Sequence, residues 1–272
     1  MSAVTVAQAS TRFYRHALIV RVTHWINAIC MTVLLMSGLQ IFDAHSALYL
    51  GQAADLDHPI LAIGADQDAS GRQRGVTVIG DWSFDTTGFL GLSRGTDGYE
   101  EARGFPAWAT LPGDLSLALG RHLHFFFAWL FVVNGVVYLG YTLVSGHWRE
   151  LVPRLHELKH IAHSLWDHLR LRFPKGEEAR HYNVLQKLAY GGVIFVLAPL
   201  IWLAGLTMSP HLDAALPWLV DLFGGRQTAR TIHFICAFGL LGFVVIHLVM
   251  VLVSGVWNNL RAMITGWYDT GE

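Results

Sequence analysis

Long apolar runs separated by polar stretches dominate the pattern along the chain. Four runs are long enough to form helices that cross a bilayer, which takes about 20 residues. They cover residues 18–41, 115–144, 184–208 and 231–257, and Pro199 predicts a kink in the third. The pattern therefore predicts an all-α membrane protein with one domain, 1–272, built as a bundle of four transmembrane helices.

Two connecting segments carry patterns of their own. Segment 42–114 is glycine-rich and far too long for a turn, which predicts a folded or semi-ordered cap with a functional role, with a solvated insertion as the alternative. Segment 147–172 has leucines at helical spacing and a charged opposite face, which predicts an amphipathic helix at the membrane interface. The charged side of this helix carries His156, His160, His163 and Asp167. We interpret it as a solvated polar face in preference to a metal site.

Composition supports the membrane class. Hydrophobic residues make up 53% of the chain and charged residues 14%, whereas soluble domains carry about 25% charged residues. The 19 basic residues against 20 acidic ones leave no surplus for nucleic-acid phosphates. Cys30 and Cys236 both lie in apolar runs and predict no disulfide framework. The sequence also has no C-x-x-C-H motif for covalent haem attachment.

Loop charge predicts the topology. Segment 42–114 has four arginines and eleven acidic residues, whereas 146–183 holds seven lysines and arginines. Because positively charged loops stay in the cytoplasm, we expect both termini and 146–183 to be cytoplasmic and 42–114 to be a periplasmic cap. The chain is therefore expected to be a multi-pass protein of the bacterial inner membrane.

Histidines inside the spans are the strongest candidates for chemistry, because ionisable residues in a membrane are costly. His233 and His247 are fourteen residues apart, so they share a helix face at ~21 Å along the axis. By depth, His24 pairs with His247 on the cytoplasmic side, and His233 pairs with His122 or His124 on the periplasmic side. Two pairs at that separation predict two stacked haems with two axial imidazoles each, which suits electron transfer.

A repeated sequence pattern bears on the choice between His122 and His124 in the second span. Residues 121–125 and 230–234 both have the pattern R-x-[LI]-H-F, which sets His124 opposite His233. His124 is therefore favoured as the ligand, and His122 stays an alternative that would otherwise help to hold a propionate. Arg121 and Arg230 are expected to pair with haem propionates. Spans one and three also share a Gly-Leu pair (38–39 and 205–206), too short to define a repeat.

Several motifs together resemble a known family. They are R-V-T-H-W-I-N-A (21–28), R-H-L-H-F-F-F-A-W (121–129), G-H-W-R-E-L (146–151), Y-N-V-L-Q-K-L-A-Y (182–190) and R-T-I-H-F (230–234). The chain resembles cytochrome b subunits of the thiosulfate reductase type, among the di-haem membrane anchors that include formate dehydrogenase and nickel-iron hydrogenase cytochromes b. The resemblance implies two b haems held by His24, His124, His233 and His247, with a quinone as substrate. It also implies a separate periplasmic catalytic subunit, often a molybdopterin oxidoreductase.

The quinone that the resemblance implies needs hydrogen-bonding or titratable groups beside a haem, because quinone chemistry moves protons with electrons. Five residues lie at the depth of His24 and His247 and are candidates for this quinone site; their alternative role is that of helix-end residues facing lipid headgroups. They are Asn27, Tyr182, Asn183, Gln186 and Lys187.

The chain is therefore expected to transfer electrons between the quinone pool and a periplasmic oxidoreductase, with terminal catalysis on the partner. Two alternatives remain. One is a self-contained quinol-linked oxidoreductase acting on a diffusible periplasmic molecule. The other is a histidine-based metal or proton transporter, which the placement of the histidines near the two membrane faces disfavours. The long 42–114 segment departs from the formate dehydrogenase and hydrogenase relatives and leaves the partner's identity open; an oligomer is compatible with the pattern.

Overall fold

The computed structural model of the protein describes residues 12–170 and 182–269. The chain divides into two compact units. The first unit comprises 1–25, 135–196 and 240–272, and the second comprises 26–134 and 197–239. Each candidate histidine pair falls within a single unit, so each unit is described by itself.

The helices of the described residues follow the apolar runs. In chain order they are α1 (Leu18–Asp43), α2 (Leu117–Val144), α3 (Trp148–Leu151), α4 (Ile161–Leu169), α5 (Val184–Gly192), α6 (Ala198–Leu206), α7 (Pro210–Ala215), α8 (Pro217–Leu222), α9 (Arg226–Val253) and α10 (Val256–Thr265). Four helical stretches are long and apolar enough to cross a membrane: α1, α2, the stretch from α5 through α6, and α9. The prediction of four membrane spans is therefore confirmed.

The third and fourth spans differ in detail from the predicted runs. A π-helical turn, Val193–Leu197, joins α5 to α6 directly before Pro199. Proline has no N–H and its ring excludes the carbonyl of residue i−4, so the helix widens there. The fourth span begins at Arg226 and ends at Val253, because Gly255 takes a left-handed conformation with φ of 106° that a helix cannot continue through.

The segment between the first two spans is built from β-strands. The strands are β2 (Ala47–Leu48), β3 (Leu61–Gln67), β4 (Gln73–Ile79), β5 (Trp82–Asp85), β6 (Gly91–Arg94) and β7 (Glu100–Arg103); β1 (Arg12–Tyr14) and β8 (Trp267–Asp269) lie near the chain ends. Strands β2 to β5 form an antiparallel sheet in sequential order, and β6 pairs with β7. The all-α prediction therefore describes the spans but not this cap, where runs of β-branched residues such as Val76, Thr77 and Val78 favour strands.

An apolar core joins the cap to the end of α1 in the second unit. Leu39 and Phe42 on α1 pack with Leu48 and Ile63 on the sheet and with Phe105 after β7. Phe42 also lies 4.8 Å from the ring of Phe234 on α9, where the distance joins the two ring centroids. The cap is therefore anchored on α1 and on α9, the helix that carries His233.

A buried ion pair stabilises this anchorage. Arg103 and Asp43 have fully buried side chains, and an Arg103 Nη2 lies 3.3 Å from Asp43 Oδ2. The guanidinium also donates to the carbonyls of Phe105 (2.6 Å) and Gly113 (3.0 Å). Asp43 in turn accepts the Phe105 N–H at 2.8 Å. Both charges thus have several partners, as buried charges require.

The predicted interfacial helix over 147–172 is not one continuous helix. After α3 the chain becomes extended at Val152, because Pro153 disfavours the helical conformation in the residue before it. A 3₁₀ turn, Glu157–His160, then leads into α4. The side chains of His160, His163 and Asp167, and residues 171–172, lie outside the described part.

Candidate functional site

Each unit contains one pair of histidines whose imidazole rings face each other. In the first unit the imidazole centroids of His24 and His247 are 6.2 Å apart, with 59° between the ring planes. In the second unit those of His124 and His233 are also 6.2 Å apart, at 63°. His122 is exposed, so the histidine of α2 that the structure places against His233 is His124.

The spacing of both pairs fits one iron ion between two imidazoles. Metal–nitrogen bonds of about 2 Å on either side of the metal set the two ring centroids about 6 Å apart. Two histidines contacting directly in a packed core would need no such separation. In the described residues, no group of three His, Cys, Asp or Glu side chains gathers as a metal site. The two-histidine pairs therefore fit the axial ligation of haem, whose four other ligands come from the macrocycle.

The hydrogen bonds of His124 leave its other nitrogen free for a metal. Nδ1 of His124 lies 3.1 Å from Ser37 Oγ. The Ser37 hydroxyl donates to the Val33 carbonyl at 2.6 Å, so its oxygen accepts the Nδ1–H of the imidazole. The Leu34 carbonyl is a second acceptor for the ring. With Nδ1 protonated, Nε2 carries the lone pair that binds iron.

His233 is held in the same tautomer by a backbone group. Its Nδ1 lies 3.0 Å from the Ile201 carbonyl oxygen on α6, which can only accept. Hydrogen bonds of this kind orient a ligating imidazole and raise its basicity. With Nδ1 protonated in both imidazoles, the Nε2 of each carries a lone pair that a metal cation between the rings could accept.

Two glycines allow these rings to lie close to the helix backbones. A Cβ at Gly38 on α1 would come within 3.3 Å of His124 Cε1, and a Cβ at Gly205 on α6 within 3.2 Å of His233 Cε1. Any side chain at either position would push the imidazole away from its acceptor. Ser37, Gly38, Ile201 and Gly205 are thus site residues that the sequence analysis did not identify. The shared Gly-Leu pairs were the available signal.

The first-unit pair has different surroundings. Phe243 stacks on His247, with centroids 5.8 Å apart and 17° between planes. Trp25 contacts His24 edge-on at 5.4 Å and donates to the Met263 carbonyl at 3.2 Å. Nδ1 of His24 is buried and has no hydrogen-bond partner among residues 12–170 and 182–269. Aromatic packing, more than hydrogen bonding, therefore orients this pair.

Positive charge lies close to His16, two residues before the start of α1. Burial and then the charge of Arg15 lower the pKa of His16 to about 4, with His24, His147 and Arg21 acting in the same direction. Arg21 donates to the Ile264 carbonyl in the last turn of α10, where helix carbonyls lack internal partners.

The two arginines predicted to bind propionates have other contacts in the structure. Arg230 donates to the carbonyls of His45 and Ala47, with its Nη1 2.8 Å from the Ala47 oxygen. Arg121 is exposed and lies over the Phe125 ring at 5.6 Å. Each arginine is one helical turn before a paired histidine, and a guanidinium has five N–H donors. Arg230 thus also ties the cap to α9.

The five quinone candidates do not form one cluster. Asn27 lies in the second unit and accepts from Asn134 Nδ2 at 2.7 Å. Asn183 and Gln186 form a capping box at the start of α5, which satisfies the free N–H groups there. Asn183 and Gln186 therefore stabilise the first turn of α5.

Lys187 and Tyr182 both lie in the first unit and have charged or aromatic neighbours. Lys187 Nζ donates to both oxygens of Glu157, at 2.7 and 2.9 Å, and this hydrogen bond lowers the pKa of Glu157. Burial raises the pKa of Tyr182, against the opposing charge of Arg15. The Tyr182 phenol is therefore protonated at neutral pH and can donate a hydrogen bond.

A chain of ring contacts connects Tyr182 to the imidazole of His247. Centroids are 5.4 Å apart for Tyr182 and Tyr190, 6.3 Å for Tyr190 and Phe243, and 5.8 Å for Phe243 and His247. Beside it lies a cavity of about 190 Å³, lined by residues that include Leu151, Pro153, Lys187, Gly191, Gly192 and Phe195. An apolar cavity with one charged group in its wall is typical of a small-molecule site.

A Gly205→Ala variant tests the close approach of His233 to α6. We expect the added Cβ, 3.2 Å from His233 Cε1, to displace the ring and weaken haem retention at that site by about 1–3 kcal/mol, as for overpacked cores. Haem release to an acceptor globin measures this. Gly242→Ala on α9 is the control, since no described atom lies within 4 Å of a Cβ built there. Equal retention in both variants would contradict the steric argument.

Comparison with known proteins identifies the family of the chain. A family model described as prokaryotic cytochrome b561 matches residues 15–266. A relative from Azospira oryzae, named putative protein-methionine-sulfoxide reductase subunit YedZ1, is 30% identical over 249 residues, which cover 90% of this chain and 93% of the relative. The family implies haem b binding and electron transfer in a membrane. The chain, a multi-pass membrane protein, therefore belongs to the prokaryotic cytochrome b561 family.

Proposed function

We propose that the chain is a di-haem electron-transfer subunit connecting the quinone pool to a periplasmic oxidoreductase. The observation that carries this proposal is the pair of facing imidazoles in each unit, both with centroids 6.2 Å apart. His24 and His247 would hold one haem b, and His124 and His233 the other, with His122 as the alternative ligand on α2. We also propose that the chain is related most specifically to cytochrome b subunits of the thiosulfate reductase type.

Bound haem would supply one-electron transfer, with His24 and His247 holding one haem and His124 and His233 the other. The protein's own groups orient the four imidazole rings and pack around them. Ser37 and the Ile201 carbonyl fix the tautomers of His124 and His233. Phe243 and Trp25 pack the rings of the other pair. Arg121 and Arg230 have guanidinium donors one turn from a ligand and would bind propionates, as would His122.

The proposed orientation in the bacterial inner membrane has both chain ends in the cytoplasm and the β-cap in the periplasm. Strands β1 and β8 support it, because residues 12–14 and 267–269 pair in one antiparallel sheet and so lie on one side of the bilayer. The charge asymmetry of the loops gives the direction.

We place the quinone beside the His24–His247 pair. Lys187 and Tyr182 carry this assignment, since Lys187 lines the cavity and Tyr182 connects to His247 through ring contacts. The Lys187 ammonium, held by Glu157, can give a proton to a quinone oxygen or stabilise its charge. Asn183 and Gln186, which cap α5, would shape the edge of this site, whereas Asn27 belongs to the other unit and is not part of it.

A Lys187→Met variant is expected to slow haem reduction by a quinol about a hundredfold, the lower end of the range for loss of a proton-transfer group. The haem spectrum should stay intact, since Lys187 contacts no paired histidine. Stopped-flow absorbance after mixing with a short-chain quinol measures the rate. Lys159→Met, which removes an exposed lysine near the same segment, is the control. Wild-type kinetics in Lys187→Met would contradict the site.

The partner is proposed to be a periplasmic redox subunit of the molybdopterin class. The printed name of the Azospira relative describes a subunit of a methionine-sulfoxide reductase, which supports a membrane subunit serving a separate catalytic protein. The acidic cap would then meet a complementary surface and set the encounter rate.

The proposed function is tested on the purified full-length chain. We expect two b-type haems per chain, reduction of both by a quinol, and co-purification of a periplasmic redox protein with a tagged chain. Two haems with quinol-linked turnover of a small molecule and no partner would indicate a self-contained oxidoreductase instead. A chain without haem would leave the transporter alternative and contradict the proposal.

A further inference from the structure

Spans one and three carry a short similarity that becomes meaningful at the second-unit histidines. Residues 34–39 are L-L-M-S-G-L and residues 201–206 are I-W-L-A-G-L. In both, the residue at the first position supplies a carbonyl to an imidazole, Leu34 to His124 and Ile201 to His233. In both, the glycine at the fifth position lies against that same imidazole.

Helix geometry explains why these two positions act together. In an α-helix the carbonyl of residue i points towards residue i+4, so a Cβ at i+4 shields it from side chains of neighbouring helices. Glycine at that position opens the carbonyl, and the imidazole approaches to within 3.2–3.3 Å of where the Cβ would be. A carbonyl followed four residues later by glycine is therefore a compact acceptor for an imidazole Nδ1–H.

The two segments differ at the position before the glycine. Ser37 occupies it on α1 and Ala204 on α6, and both are fully buried at 0% exposure. Ser37 Oγ lies 3.1 Å from His124 Nδ1, whereas alanine has no polar side-chain atom to offer His233. His124 thus has a side-chain acceptor that His233 lacks.

We propose that residues 34–39 and 201–206 are equivalent imidazole-holding motifs, and that Ser37 is a positioning residue that adds a second acceptor to one of the two haem ligands. This inference rests on the proposed ligation of one iron by His124 and His233. A stronger acceptor on Nδ1 makes an imidazole a better electron donor. Ser37 therefore stabilises the ferric state and lowers the reduction potential of this haem.

Exchanging the two residues tests the proposal, because both ligands act on the same iron. Ser37→Ala removes the extra acceptor and recreates the packing already present at position 204. We expect it to raise the potential of one haem, changing the ferric-to-ferrous ratio at a fixed ambient potential about threefold, or roughly 30 mV at 59 mV per tenfold. Ala204→Ser adds an acceptor and is expected to lower the potential of the same haem.

Optical redox titration of the full-length chain measures the potentials, and the low-spin ferric EPR signal reports ligand orientation separately. Ser37→Thr retains a hydroxyl and should keep both properties near wild type. Thr32→Ala is the matched control, since Thr32 on α1 makes the same kind of bond to a backbone carbonyl, Ala28 at 2.9 Å, away from the imidazoles.

The outcomes separate this inference from the proposed function. If wild-type protein binds both haems and Ser37→Ala shifts neither potential nor EPR signal, the role of Ser37 is wrong while the proposed function stands. Equal shifts in Ser37→Ala and Thr32→Ala would equally overturn it, since they would reflect helix distortion. A wild-type chain without haem would overturn both.

Discussion

A His233→Ala variant is expected to bind one haem fewer than the wild-type chain, for which we propose two. The substitution removes one of two imidazoles that face each other at 6.2 Å, and one remaining ligand does not retain a low-spin bis-imidazole centre. His124→Ala should lose the same haem, whereas His24→Ala and His247→Ala should lose the other. The pyridine haemochrome content per chain, together with the low-temperature optical spectrum, measures both number and identity.

His122→Ala is the control for this series. Its side chain is exposed and next but one to His124, so a general disturbance of α2 would affect it equally. Full haem content in His122→Ala together with half content in His124→Ala would establish the ligand on α2. The reverse result would transfer the ligand role to His122, and loss of both haems in every variant would contradict the pairing.

An Arg103→Met variant is expected to destabilise the cap by about 3–5 kcal/mol, the usual cost of breaking a buried ion pair from one side. Methionine fills similar volume but leaves the fully buried Asp43 carboxylate without its main counter-charge. The carbonyls of Phe105 and Gly113 also lose their donor. Hydrogen exchange of the cap amides, followed by mass spectrometry in nanodiscs, measures the local opening free energy.

Arg94→Met removes an exposed arginine of the same cap and should change exchange little. The double variant Asp43→Leu with Arg103→Met should regain part of the loss, since no unpaired charge is then buried. Unchanged exchange in Arg103→Met would show that the apolar core around Phe42 and Phe105 alone holds the cap.

The membrane-spanning helices were predictable because a bilayer imposes a length and an apolar composition that survive any tertiary arrangement. Their ends were not, as α9 shows. Its start at Arg226 depends on contacts with the cap, where the Gln227 N–H donates to the Gly51 carbonyl at 3.0 Å. Its end at Val253 depends on the backbone conformation of Gly255.

The cap was predicted as folded but not as β-structure. Its strands are short, and glycines interrupt their alternation where backbones approach closely. Gly91, with φ of 80°, is such a position, since a Cβ there would collide with the Gly64 carbonyl. Local pattern alone therefore understated the strands, whose pairing comes from contacts across the cap.

The candidate site also combines features that local sequence predicted with features that it did not. Helical periodicity placed His233 and His247 on one face, and the repeated R-x-[LI]-H-F pattern favoured His124, because ligand spacing on a helix is a local property. The acceptors for their Nδ1 atoms lie on other spans, on α1 for His124 and on α6 for His233. Neither Ser37 nor Gly205 differs in local pattern from an ordinary small residue of a membrane helix.

The sequence by itself thus determined the membrane class, four spans and the histidines that can bind haem, since each depends on composition or on spacing within one helix. Only the tertiary structure decided which imidazoles face each other, which groups fix their tautomers, and how the cap is held. The physical reason is that a hydrogen bond such as that from His124 to Ser37 joins residues far apart in sequence. Its existence depends on how closely two helices approach, which here depends on glycines with no side chain to signal it.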